Sequence, residues 1–180
     1  GCDPGPACGG RHCAGRHASG STVEKTVKFV RFLELKRQAL AVCRAEGRPL
    51  PEPGQMNPIV LALIGDSAFT FYVRLRLLTT SSHVQVIHTI AAKMVSAVMQ
   101  AKAMQALEPE LSEEEKAVVH RGRNAKSTVP RSASVSEYRL ATGFEALCGW
   151  LLLTEREERL ESIMRQAFEL IAEVMAEKNK

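Results

Sequence analysis

The chain has 180 residues, 45% of them apolar and 5% aromatic, with a formal charge of +4; that is enough for one domain with a core and one further element. No uninterrupted apolar run approaches the length that spans a bilayer, and the N-terminus lacks the apolar segment of a secretory signal, so the expectation is a cytoplasmic protein with no membrane partner. The five cysteines, an odd number without such a signal, argue against a disulfide framework.

Residues 1–20 are rich in Gly and Pro and read as a flexible tail. Cys2, Cys8 and Cys13, with His12 and His17, offer zinc-ligand chemistry there, but no C-x2-C pair supports it. Ser21 and Glu24 form a capping-box pattern, which predicts an amphipathic helix to about residue 46, stopped by Gly47 and Pro49. Residues 21–56, this helix and the linker GRPLPEPGQM, are an appendage to a main domain over residues 57–180.

Asn57-Pro58 opens the main domain as an N-cap followed by proline at the first helical position. The helix it starts, IVLALIGDSAFTFYVRLRLL, is apolar nearly all round and suits the middle of a bundle or a subunit interface. After a turn at Thr79 to Ser82, one helix is predicted over 83–107. Ile87, Ile90, Met94, Val98, Ala101 and Met104 form its core stripe, with Lys93, Ser96 and Gln100 on a second, polar face and His88 near its edge. Pro109 ends it. Ser112 and Glu115 form another capping box and lead a short helix that stops near Gly122. The polar loop RGRNAKSTVPRSAS precedes a helix from about Ser136 to Leu153 and a last one from about Glu155 to Glu177. Cys43 and Cys148 read as small core residues. No stretch alternates as a strand does, so the fold class is all-α.

Charge is unevenly distributed. Residues 67–107 carry Arg74, Arg76, Lys93 and Lys102 without a single Asp or Glu, and residues 116–139 carry six Lys and Arg against Glu137. A basic middle is the sequence form of a polyanion-binding surface. Against this background, two acids stand out. Asp66 is the sole charge in LALIGDSAFTF and Glu145 the sole charge in GFEALCGWLLL. Buried charges are normally paired, so each acid either meets a base such as Arg74 or Arg139, or meets the other acid across a helix contact. In the second case a cation stabilises both. Carboxylates without convergent Cys or His suit a hard ion, Mg²⁺ or Mn²⁺, and such an ion can activate water against a phosphodiester. Gly65 and Gly143 lie beside the acids, where a missing side chain lets helices approach closely.

The ordered set IGDSAF, YVR, VSAVMQA, RGRNAKS and YRLATGFEALCGWLLL resembles ribonuclease III, specifically the short Mini-III subfamily, over about residues 57–165. The resemblance implies an all-helical, homodimeric, Mg²⁺-dependent endoribonuclease acting on double-stranded RNA, without a double-stranded-RNA-binding domain. It places the metal-binding catalytic acids on Asp66 and Glu145. It also implies 5′-phosphate and 3′-hydroxyl products, maturation of large-subunit (23S) ribosomal RNA precursor ends, and a ribosomal protein as a candidate helper. Further acids of the larger enzymes are replaced here by Ile59 and Thr142, so water and substrate phosphate must complete the coordination.

RNA contacts are expected from Arg121, Arg123, Asn124, Lys126 and Ser127 in the polar loop, and from Lys93, Gln100 and Arg139, because A-form RNA is met mainly through its backbone and 2′-hydroxyls. The competing reading is a catalytically inactive ribonuclease III-like RNA-binding or ribosome-assembly protein; retention of both acids speaks against it. A helical DNA-binding regulator ranks last, since no recognition helix follows a tight turn.

Overall fold

The protein, seen here in a computed structural model, is described over residues 20–47, 50–125 and 133–177, with side chains from residue 30 onward, Phe32 excepted. Among the described residues there are α-helices and two short 3-10 turns, and no strand. The fold class read from the sequence is the observed one. The tail read over residues 1–20 lies outside the described residues except for Gly20, where α1 (Gly20–Ala45) begins.

The helix α2 (Pro58–Leu77) starts where the sequence places it: the Asn57 side chain accepts the N–H of Ile59 at 2.9 Å and Pro58 follows. Contrary to the expectation that no apolar run approaches membrane-spanning length, α2 is long and apolar enough to cross a membrane by length and composition. Its inward residues instead build the core with α6 (Val135–Leu153). Phe69 of α2 meets Phe144 of α6 edge to face, ring centroids 5.0 Å apart, both fully buried, each worth about 1.5–3 kcal/mol of transfer free energy.

Helix α6 is the central element. From Leu140 to Leu152 its residues are buried, Glu145 being only half-buried. It begins one residue earlier than expected, because Ser134 and Glu137 form a complete capping box: Ser134 Oγ accepts the Glu137 N–H at 3.2 Å, and Glu137 accepts the Ser134 N–H at 2.9 Å. The helices α2, α4 (Ala97–Leu107) and α5 (Glu113–Asn124) surround it. Glycines set two of these approaches. A Cβ on Gly65 would overlap the backbone carbonyl of Glu145, and one on Gly149 that of Leu61. Gly143 serves a different partner, α5, where a Cβ would lie 3.0 Å from Val119 O and Arg123 Cγ.

The single helix expected over 83–107 is two helices, α3 (Val84–Met94) and α4, broken at Val95 and Ser96. No Pro or Gly marks the break. Ser96 takes extended backbone angles (φ −66°, ψ 150°) and the side chain of Gln100 folds back to donate to Val95 O at 3.1 Å. The last helix, α7 (Glu157–Glu177), buries Leu160, Ile163, Met164, Ala167 and Ile171. It starts later than expected because Glu155 takes a left-handed φ of 59°.

Helix α1 meets the main domain through Leu33, Lys36 and Arg37 among the described side chains. Leu33 enters the core, Lys36 donates to the Leu152 carbonyl at 3.1 Å, and Arg37 pairs with Glu157 at 3.1 Å. Among the described side chains of α1, Leu35 and Val42 are exposed.

Candidate functional site

The crossing of α2 and α6 decides where the two isolated acids go. Gly65 lies against the Glu145 backbone, so the next residue, Asp66, adjoins the same crossing. Both acids are half-buried, and the Asp66 carboxylate is near enough to act on the Glu145 carboxyl. Burial in apolar surroundings, and then the neighbouring Asp66 carboxylate, push the Glu145 carboxyl up to about 8, while the amide of Gln100 acts as a hydrogen-bond donor in the opposite sense. Thr70 Oγ donates to Asp66 Oδ1 at 3.4 Å, one turn along α2.

Among the described residues no arginine neutralises the pair. Arg74 and Arg139 are exposed, and the nearby ion pairs go elsewhere: Arg76 to Glu169, Arg123 to Glu108, Arg159 to Glu115. Among the described residues neither Asp66 nor Glu145 makes a salt bridge. Burial and the neighbouring Asp66 hold Glu145 in its protonated form, and a cation between the two would favour the ionised form of both. The donors are hard oxygens, and among the described residues no cluster of three or more His, Cys, Asp or Glu could hold a metal. Two oxygen donors suit an ion such as Mg²⁺, which takes one or two carboxylates and keeps several waters. The positions of the additional acids in larger enzymes supply nothing here: Thr142 is buried with its hydroxyl on the Tyr138 carbonyl at 2.9 Å, and Ile59 is apolar.

The expected RNA contacts divide. Lys93 and Arg139 are exposed, and Lys93 lines an open groove with His88, Thr89, Ser96 and Met175. Arg123 is 40% exposed and lies 3.7 Å from Glu108, and Asn124 hydrogen-bonds with His120. Lys126 and Ser127 lie outside the described residues. Two expectations need correction. Arg121 donates to the carbonyls of Gly54 at 2.6 Å and Met56 at 2.7 Å, so its guanidinium ties the linker to α5 rather than facing solvent. Gln100 is fully buried beside Glu145 and cannot touch an RNA backbone. The break at Val95–Ser96 explains it: a continuous helix would carry Lys93 and Gln100 on one face, but α4 starts afresh and turns Gln100 inward. Its position four residues after Ser96 was the only available signal.

Residues 59–156 match the ribonuclease III domain family. The chain is 42% identical over 120 residues to a Mini-ribonuclease 3 of Thermoanaerobacter sp. (strain X514), an alignment covering 66% of this chain and 84% of the relative. It is 43% identical over 122 residues to the Mini-ribonuclease 3 of Brevibacillus brevis, covering 67% and 91%. The crystal structure of protein FN1578 from Fusobacterium nucleatum superimposes with a TM-score of 0.61 at 27% identity, covering 64% of this chain and 96% of that one. With the family's domain lying across α2 to α6, and the isolated acids of those two helices lying near each other inside it, the chain belongs to the ribonuclease III family, in its Mini-ribonuclease 3 branch, and is an endoribonuclease.

Proposed function

We propose that the protein is a divalent-metal-dependent hydrolase of double-stranded RNA that trims the ends of large-subunit (23S) ribosomal RNA precursors, leaving 5′-phosphate and 3′-hydroxyl termini. The observation that carries this reading is the unneutralised pair Asp66 and Glu145. These residues would hold Mg²⁺ or Mn²⁺ by one carboxylate each. A cation bound there polarises a phosphate oxygen and lowers the pKa of a bound water. Cys148, buried and close enough to Glu145 to feel its charge, helps limit water around the carboxylates and so strengthens their hold on a cation. Lys93, Arg123 and Arg139 supply exposed positive charge for the phosphate backbone, with Asn124, Lys126 and Ser127 in the adjoining loop.

The working form is a homodimer in this reading, each site cutting one strand. Its support is the outer face of α2, where Val60, Leu63, Phe71 and Leu78 are 42%, 65%, 38% and 56% exposed. An apolar row of this kind on one helix is characteristic of an interaction surface. Sedimentation of a strict monomer at micromolar concentration overturns the dimer.

Incubation of the protein with a ribosomal-RNA precursor stem, with Mg²⁺ or with EDTA, tests the activity. Cutting is expected only with metal, and Glu145→Gln should abolish it while retaining fold and RNA binding. Undiminished cutting by that variant removes Glu145 from the site. A wild-type chain that binds the stem but never cuts it establishes instead the inactive RNA-binding protein, with a ribosome-assembly role and no catalysis.

A further inference from the structure

Helix α5 carries a basic row outside the Asp66–Glu145 pair. Lys116, His120 and Arg123, spaced i, i+4 and i+7 on one side of the helix, all line a single cavity of about 170 Å³ between α5 and the 3-10 turn Glu108–Glu110. Leu111 and Val119, both buried, supply its apolar surface, and Glu108 completes the lining. The helix dipole accounts for basic residues in the last turn, such as Arg121 and Arg123. It does not account for Lys116, which lies one turn from the N-terminus, where the dipole disfavours a cation. A row that only kept α5 wet would have no need to gather around one concavity with apolar backing.

The acids beside the row hold it loosely. Glu113 meets Lys116 Nζ at 2.7 Å, but the Glu113 side chain is 90% exposed, so water screens the pair. Glu108 lies 3.7 Å from Arg123, too far for a hydrogen bond. Asn124 Nδ2 lies 3.0 Å from His120 Nε2 and braces the ring from the next turn. An imidazole carries at least one N–H, which makes His120 a third donor beside the ammonium and the guanidinium. A concave lining with apolar walls focuses the field of these cations. The volume lies below the about 300–1,000 Å³ that takes a drug-sized ligand, so one oxyanion group fits and a whole nucleotide does not.

We propose that Lys116, His120 and Arg123 form a pocket for a phosphate-class oxyanion, with Glu108 as an internal competitor that the anion displaces from Arg123. The anion is a backbone phosphate of bound RNA or free phosphate. The pocket is assigned from its own lining and needs no cation on Asp66 and Glu145; only the RNA source rests on the reading of the chain as a hydrolase of double-stranded RNA. Arg123, an expected RNA contact, gains in Lys116 and His120 two partners on its own helix.

The test follows the backbone amide NMR resonances of the full chain in EDTA as sodium phosphate is added at constant ionic strength, with sodium chloride as the blank and circular dichroism to establish that each variant folds. Shifts should gather on α5 and the 3-10 turn before it. Phosphate affinity should fall about tenfold in Lys116→Ala and in His120→Ala, the scale of a lost hydrogen bond to a charged group. It should rise by up to about fivefold in Glu108→Gln, which removes the competitor, and stay unchanged in Arg165→Gln, a control on the exposed side of α7. Wild-type affinity in both alanine variants, an equal fall in Arg165→Gln, or no rise in Glu108→Gln overturns the proposal. The source is read from binding of an RNA stem, also in EDTA. With RNA as the source, phosphate competes with the stem and Lys116→Ala lowers the slope of log affinity against log salt by about one. With free phosphate as the source, that slope is unchanged while phosphate affinity still falls. A wild-type chain that binds no stem defeats the double-stranded-RNA reading and leaves the pocket to be decided by the phosphate titration alone.

Discussion

Two glutamates in this protein are withdrawn from water in opposite ways. Glu115, at the start of α5, is buried with a partner for every oxygen: Arg159 donates to Oε1 at 2.7 Å and to Oε2 at 3.0 Å, and Ser112 N–H donates to Oε2 at 2.9 Å. Burial pushes its carboxyl up, but the bonds from Arg159 and Ser112 outweigh burial and hold it below the ordinary value. Glu145, in the middle of α6, has another carboxylate nearby and one amide beside it, and is pushed up to about 8. Glu115 is complete within the fold, joining α5 to α7. Glu145 is incomplete without something positive. Burial of an acid therefore says little by itself; what faces the acid separates an element of the scaffold from a ligand-binding group.

The largest expected effect is on catalysis. Glu145→Gln should lower the cleavage rate by about 10⁴-fold or more, the scale seen when a member of a catalytic set is removed, and leave melting temperature unchanged or raised, since a repulsion goes with it. Glu115→Gln should leave cleavage by the folded protein nearly intact. Comparable losses of cleavage in both would erase the distinction.

Next comes pH. In the metal-free protein the folded-state value for Glu145 lies above the ordinary 4.5. Between these values the folded chain holds the proton more tightly than the unfolded chain, so this group lowers stability as pH rises from about 4.5 to about 8. The total is at most about 5 kcal/mol for a carboxyl raised from 4.5 to about 8. Glu115 works the other way: its contribution is present above the ordinary carboxyl value and is lost as pH falls through its depressed one. Metal-free thermal melts should show the alkaline loss in wild type, none of it in Glu145→Gln, and recovery on adding Mn²⁺. A flat profile between pH 5 and 8 means that neither burial nor Asp66 raises the Glu145 carboxyl.

Smaller again is the stability cost of Glu115→Gln. Removing the charge weakens the Arg159 pair and the capping box together, about 2–3 kcal/mol by hydrogen bonds to charged groups and helix caps. Chemical denaturation at neutral pH measures it, and a loss under 0.5 kcal/mol would show the network to be dispensable.

The sequence made legible the parts governed by local rules. Asn57-Pro58 and the Ser112–Glu115 box start helices where they should, because a cap is decided within four residues. The pairing of Asp66 with Glu145 was one of two open alternatives, and Gly65 was the local hint that α2 and α6 touch there. The rest depended on contacts distant in sequence. Arg159 lies 44 residues from Glu115, and nothing in ERLES announces that partner. The α3–α4 break carries no Pro or Gly, so periodicity runs through it. Its turn of the helix face is what put Gln100 on the wrong side of the prediction.

The smallest expected effect separates cations that serve the fold from cations that serve the ligand. Arg121 resembles Glu115 in being used up internally, on the carbonyls of Gly54 and Met56. Arg139 stands exposed with α6 behind it. If Arg139 contacts a phosphate, Arg139→Ala removes one released counterion, and the slope of log affinity against log salt should fall by about one, weakening binding alike for stems of different sequence. Arg121→Ala should leave that slope unchanged and instead lower the melting temperature, because two linker carbonyls lose their donor. Filter binding of a catalytically silent Glu145→Gln background to one RNA stem over a range of salt gives both slopes without cleavage interfering. An unchanged slope for Arg139→Ala takes that residue out of the interface, and a reduced slope for Arg121→Ala means that its guanidinium leaves the linker carbonyls when RNA arrives.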